Sequence, residues 1–211
     1  MREVYLISGL GADKRVFDFV DLSGFRINHV EWIPPLHNES IELYAKRLSE
    51  QIKTSKPIII GVSFGGMMAV EIAKIIDTEK VVLISSAKHK YDIPLYFRIV
   101  GQLGINKILP KSFFKSINPM TYWFFGVKTH QGKDLLKKII NDTDKHFLYW
   151  AIDQIVNWRN TTSLPNLTHI HGTDDRILPN RRCDFKVNNG GHLMIMDQGK
   201  EIGNLIRKIL N

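Results

Sequence analysis

Along this chain, short apolar runs alternate with longer stretches in which apolar residues recur at helical spacing. Val4-Tyr5-Leu6-Ile7-Ser8 predicts a first strand, followed by the glycine-punctuated loop Gly9-Leu10-Gly11-Ala12 and a helical turn from Lys14 to Phe19. Arg26 to Trp32 alternates like a half-buried edge strand, and Pro34-Pro35 stops it. Asn38 or Ser40 can cap the next helix, in which Ile41, Tyr44, Ala45, Leu48 and Ile52 fall on one face. After Pro57 the run Ile58-Ile59-Ile60 is uniformly apolar, the pattern of a strand buried on both faces of a parallel sheet. It passes at once into a helical Ala/Met/Ile pattern after Gly66, and Lys80 to Ser85 supplies a fourth strand. The order so far is βαβαβαβ.

The rhythm breaks after Ser86. From about Tyr91 to Trp158 there is no convincing strand, only helical patterns interrupted at Pro94, Gly101, Gly104, Pro110 and Pro119. It returns with a strand at Leu167 to His171, the loop Gly172 to Arg176 at its C-terminal end and a short last strand from Arg182 to Val187. A turn from Asn188 to Gly191 leads to a final helix with Ile202, Leu205, Ile206 and Ile209 on one face. Six strands with intervening helices predict an α/β fold with a parallel sheet covered on both faces. Ligands of such sheets lie beyond the carboxyl ends of the strands.

At 211 residues, with 44% hydrophobic and 24% charged residues, the chain suits one globular domain. Its longest apolar runs are far shorter than a bilayer span. Met1-Arg2-Glu3 leads straight into the first strand without the marks of an export signal, so a cytoplasmic protein is expected. The single cysteine, Cys183, excludes an internal disulfide and a cysteine-based metal cluster, and agrees with a reducing compartment.

The net charge of +8 is localised: from Lys88 to Lys138 there are ten basic residues and two acidic ones, so the rest is about neutral. Such a segment can meet an acidic protein, a membrane surface or nucleic acid, or it can be a solvated lysine face. No recognition element accompanies it, which argues against nucleic acid. The stretch from Tyr91 to Trp158 also holds 13 of the 21 aromatic residues, including Tyr122-Trp123-Phe124-Phe125. Large rings anchor small helices, and they also suit a lid over an apolar pocket.

The chemistry centres on Gly61-Val62-Ser63-Phe64-Gly65-Gly66, a G-x-S-x-G sequence between a strand and a helix. Ser63 there sits on a sharp turn with a helix N-terminus beneath it, and glycine at 61 and 65 relieves the crowding. A plain tight-turn serine is the alternative. If the strands are parallel, Ser63 follows the third, Asp174 and Asp175 the fifth and His192 the sixth, all at one edge. This is the order Ser, acid, His of a serine hydrolase on such a sheet. An imidazole must take the serine proton, and a carboxylate must hold that imidazole in the right tautomer. Asp175 lies three residues beyond Gly172 and just ahead of Ile177-Leu178-Pro179, which favours it over Asp174. The two backbone N–H donors that the oxyanion needs should come from Phe64, directly after the nucleophile, and from Leu10 in the loop after the first strand. His169 and His171 alternate like a metal pair but lack a third ligand, so a structural role is favoured, and no metal or organic cofactor is called for.

Four motifs, Ser8-Gly9-Leu10-Gly11, Gly61 to Gly66, His171 to Pro179 and Gly190-Gly191-His192, together resemble a small member of the α/β-hydrolase fold superfamily. The resemblance covers about Val4 to Ser86 and Leu164 to Asn211. It implies a three-layer fold with a mostly parallel sheet of about six strands, lacking the family's first two. Residues 1–211 would form a single domain with a helical cap, about residues 88–160, inserted after the strand ending near Ser85. It also implies a Ser63, Asp175, His192 triad and an oxyanion hole from Leu10 and Phe64. Ser8 replaces the histidine of many members, and only about ten residues separate His171 from the last strand, so the usual crossover helix must be very short or missing.

The activity so implied is hydrolysis of an ester or thioester of a mostly apolar acyl group through an acyl-enzyme on Ser63. The basic cap adds a possible acidic carrier protein, as in the pimeloyl-carrier methyl esterases of this superfamily. A triad-bearing ligand receptor, and a lyase or C–C bond hydrolase on the same triad, are the other classes.

Overall fold

Ile58-Ile59-Ile60 lies near the middle of the protein because every one of its side chains is apolar and neither face can be left to water. In the computed structural model, which describes residues 1–108, 117–179 and 182–211, this run forms β3 (Ile58–Val62). It is flanked by β1 (Glu3–Ile7) and β4 (Lys80–Ile84). β2 (Arg26–Val30) extends one edge, while β5 (Leu167–Gly172) and β6 (Phe185–Val187) extend the other. The order is β2-β1-β3-β4-β5-β6, and all five pairings are parallel.

Strand alternation divides the core into two layers. Tyr5, Ile7, Ile59, Val81 and Leu83 face α1 (Ile41–Ser49) and α2 (Phe64–Ala73). Val4, Leu6, Ile58, Ile60, Val82 and Ile84 face the other way, toward a 3₁₀ turn at Lys14–Phe17 and α9 (Gly199–Leu210), which follows the single turn α8 (Met194–Asp197). With about 25 cal/mol per Å² of apolar surface buried, these two layers are the main stabilising term of the fold.

Several boundaries differ from the sequence pattern. β2 ends at Val30, so Trp32 lies beyond it and turns its indole N–H onto Ser8 Oγ at 3.0 Å. Ser40, not Asn38, caps α1, accepting from the Leu43 N–H. Ser85 has a positive φ of 48°, a conformation side-chain-bearing residues rarely adopt, and β4 therefore stops at Ile84. β6 is only three residues long, beginning at Phe185 rather than Arg182. The described residues between β5 and β6 contain no helix, yet Ile170 pairs with Phe185 in parallel register.

Between β4 and β5 every element among the described residues is a helix or helical turn: a 3₁₀ turn at Lys90–Asp92, then α3 (Leu95–Gln102), α4 (Ile105–Ile108), α5 (Pro119–Phe125), α6 (His130–Asp142) and α7 (Lys145–Val156). Pro110, Lys111 and Lys115 of this segment lie outside the described residues. α6 contributes Leu136 and Ile139 to one core layer, while α7 contributes Phe147 and Ala151 to the other, so the insertion straddles both. No helix among the described residues is long and apolar enough to cross a membrane.

Candidate active site

β3 delivers the chain to Ser63, whose φ of 51° and ψ of −120° lie outside the ordinary allowed regions. A strained backbone of this kind costs about 1–3 kcal/mol and persists only where its surroundings over-determine it. Here the Ser63 N–H donates to the Ile84 carbonyl at 2.9 Å, and the Ser63 carbonyl accepts from the Ser86 hydroxyl at 2.6 Å. The glycines of the motif are sterically required. A Cβ on Gly61 would meet the Gly65 carbonyl and one on Gly65 the carbonyls of Ile7 and Ser8, both inside van der Waals contact.

Ser63 Oγ lies 2.8 Å from His192 Nε2, and His192 Nδ1 lies 2.8 Å from Asp175 Oδ2. The other carboxylate oxygen, Oδ1, accepts the Ile177 and Leu178 N–H groups, each at 2.9 Å. The structure thus brings Ser63, Asp175 and His192 together from the ends of three strands. Asp174 stays out of this chain; its carboxylate accepts from the Thr173 hydroxyl at 3.2 Å.

Asp175 and His192 are almost wholly buried, at 4% and 3% exposure. Burial pushes the Asp175 carboxyl upward, but the charge of His192 and the hydrogen bonds from His171 and His192 outweigh it and hold it well below the usual carboxylate range. A permanently ionised acceptor against Nδ1 puts the proton there and leaves Nε2 free to accept from Ser63.

The loop after β1 abuts the serine: a Cβ on Gly9 would lie 3.5 Å from Ser63 Cβ. Leu10 follows directly, and Phe64 opens α2, where the first N–H groups have no intrahelical acceptor. Ser8 leaves this loop intact, its hydroxyl donating to the Ala12 carbonyl at 2.7 Å.

A cavity of about 200 Å³ opens at Ser63 and His192. Leu10, Val16, Phe125, Leu136, Ile140 and Leu148 supply apolar wall, with Thr121 and Thr143 among the few polar side chains. α5 is tied to the loops that carry the site: Arg176 donates to the Trp123 carbonyl at 2.9 Å, and the Leu193 N–H donates to the Phe125 carbonyl at 3.1 Å.

Two contacts escape a reading by motif. Ser86 braces the Ser63 carbonyl, and His171 Nε2 lies 3.1 Å from Asp175 Oδ2, the two residues being four apart. His171 also reaches His169, Nδ1 to Nε2 at 2.9 Å, so the two rings bond to each other rather than presenting a joint ligand face. No group of three or more metal-binding side chains occurs among the described residues.

No family model matches the sequence, and no curated protein does. Solved structures do match. An esterase from Exiguobacterium antarcticum superposes at a TM-score of 0.71 with 14% identity, covering 100% of this chain and 92% of that one. A bromoperoxidase from Bacillus anthracis gives 0.73 with 16% identity over 99% and 91%. An alpha/beta-hydrolase family protein from Desulfitobacterium hafniense gives 0.67 with 20% identity over 100% and 96%. The chain has the α/β-hydrolase fold. Its version of that fold has a sheet of six strands, all parallel, and joins β5 to β6 without a helix among the described residues. That short crossover brings Asp175 and His192 to the same edge as Ser63, as the fold's chain order requires.

Proposed function

We propose that this protein is a serine hydrolase that cleaves carboxylic esters or thioesters of a mostly apolar acyl group. The observation that carries this reading is the unbroken hydrogen-bonded chain Ser63–His192–Asp175 ending at an apolar cavity. In the proposed mechanism, Ser63 Oγ attacks the carbonyl carbon while His192 Nε2 takes its proton, and Asp175 stabilises the imidazolium. The oxyanion is held by the Leu10 and Phe64 amides, each donor lowering the barrier by about 2.7–4 kcal/mol. The tetrahedral intermediate expels the alcohol or thiol as His192 returns the proton. Water, activated in the same way, then releases the acid from Ser63. The esterase among the structural neighbours supports this choice of chemistry.

The test is labelling of the native chain by a fluorophosphonate, alongside Ser63→Ala. Labelling that disappears in the variant is expected, together with loss of p-nitrophenyl ester hydrolysis. A native chain that does not label overturns the hydrolase reading and favours the ligand-binding receptor.

A second reading concerns the substrate's carrier. The segment from Lys88 to Lys138 holds the chain's excess positive charge. Nine of the thirteen exposed large hydrophobic residues among those described fall between Tyr91 and Phe124. An acidic acyl-carrier protein presenting an ester or thioester would match both features. Turnover of carrier-bound substrate should then fall steeply with added salt while that of a free ester does not; equal rates and equal salt response refute it.

A further inference from the structure

Asp175 accepts more hydrogen bonds than orienting His192 requires. Oδ1 takes two backbone N–H groups and Oδ2 takes His192 Nδ1, and the remaining approach to Oδ2 is filled by His171 Nε2 at 3.1 Å. The side chains of His171 and Asp175 are fully buried. His171 Nε2 also lies 2.7 Å from the Leu178 carbonyl, and a carbonyl can only accept, so Nε2 carries a proton shared between Leu178 O and Asp175 Oδ2.

The other ring nitrogen is set by His169. Burial, chiefly, together with the neighbouring His171 and Lys88, pushes the His169 ring down to about 2, so it is neutral with one N–H. His169 Nδ1 is buried without a hydrogen-bond partner. A buried N–H with no acceptor is rarer than an unpaired lone pair, which places the proton on Nε2, facing His171 Nδ1 at 2.9 Å. His171 is thereby fixed as the tautomer with Nε2–H toward Asp175.

We propose that His171 is a positioning residue for Asp175, its orientation and tautomer set by His169, so that five side chains, His169–His171–Asp175–His192–Ser63, act as one unit. The proposal rests on the serine-hydrolase reading. A carboxylate held by two backbone donors on one oxygen can still tilt about its Cβ–Cγ bond, and a donor on the second oxygen removes that freedom. Oδ2 then stays in line with Nδ1 of His192 through both proton transfers. The donor also draws charge off Oδ2, which tempers its pull on the imidazolium. The other charged or titratable groups around this cluster are Lys88 after β4, Tyr96 on α3, and Asp184, whose carboxylate accepts from the His169 N–H at 2.8 Å.

The first experiment uses the native chain with ¹⁵N-labelled histidine. His171 should show a protonated Nε2 and an unprotonated Nδ1 at neutral pH, and the reverse tautomer overturns the proposal. The second compares His171→Leu with His171→Gln, whose side-chain amide can donate from about where Nε2 stands. His171→Leu should lose about tenfold to hundredfold in kcat with KM nearly unchanged, as expected when a reacting group drifts. The acid limb of its kcat/KM profile should move to higher pH, because Asp175 without that donor pulls harder on the His192 N–H. His171→Gln should recover most of both. A folded His171→Leu with native kcat and native acid limb, or a Gln variant no better than Leu, overturns the proposal; if the variants do not fold, the tautomer measurement decides. The two readings fail separately. Absent Ser63-dependent labelling of the native chain defeats the hydrolase reading, whereas native labelling with an unaffected His171→Leu defeats only the positioning role.

Discussion

Ser63 is held in its left-handed turn by the lack of room around it, and Gly65 is where that tightness is most exposed to test. Gly65→Ala drives a methyl into the carbonyls of Ile7 and Ser8, which belong to rigid backbone and cannot swing away. Overpacking of this kind costs about 3 kcal/mol. Gly24, at φ 96° with open space around its would-be Cβ, is the control: Gly24→Ala should cost only about 1 kcal/mol, from backbone strain. Urea unfolding of the two variants checks the contrast. His169 makes a second prediction at this scale. Its ordinary value of 6.5 falls to about 2 in the folded protein, so between those limits the unfolded chain binds more protons than the native one. Stability is then complete above pH 6.5 and declines as pH falls below it, by up to about 1.4 kcal/mol per pH unit from this one group. A His169→Asn variant should show a flatter decline in a pH series of thermal melts. The placing of Ser63, Asp175 and His192 could be anticipated because parallel strands return the chain to one edge. The bond from His171 to Asp175 could not, since alternation along a strand says which face a ring takes and nothing of what it touches there.

At the level of elements, α7 links the core to the cavity: Phe147 and Ala151 pack inward while Leu148 and Ile155 line the pocket. Its N-cap is Asp144, whose carboxylate accepts from the Phe147 N–H at 2.9 Å. Asp144→Ala should therefore lower stability by about 1 kcal/mol in chemical denaturation. Ser40→Ala at the start of α1 should cost less, about 0.5 kcal/mol, because its bond to the Leu43 N–H is long, at 3.4 Å. The central strands were legible because uniform burial demands an uninterrupted apolar run, and Pro57 just before β3 and the Ser63 turn just after it mark its limits. Edges were less so. At β2 the alternation continues to Trp32, yet the indole finds a better place on Ser8 Oγ and stacked at 5.5 Å on Phe64 than one more rung of an edge strand would give. At β6 only Phe185 to Val187 are in strand register with β5, while Asp184 just before them reaches it through its N–H, which donates to the His169 carbonyl, and its carboxylate.

For the whole molecule, substrate size follows from how the insertion closes over the sheet. α6 and α7 reach both core layers, and α5 is pinned through Phe125 to the loop bearing His192, so the cavity is bounded by packed helices. Its volume of about 200 Å³ is below the range of drug-sized pockets. A cavity of that size suits a short to medium acyl chain rather than a long one. Each methylene buried contributes about 0.8 kcal/mol, and if it is realised in the transition state kcat/KM should rise about fourfold per carbon. A series of p-nitrophenyl esters should therefore climb from acetate into the medium-chain range and then fall, as longer chains must distort the helices or remain in water. Ile140, which lines the cavity from α6, is the residue to vary. Ile140→Phe should move the maximum to a shorter acyl chain and Ile140→Ala to a longer one, with Ser63 labelling kept in both. A maximum that stays in place in both variants would mean that the acyl chain leaves Ser63 by another route, and the apolar cavity would then hold the alcohol or thiol half of the substrate.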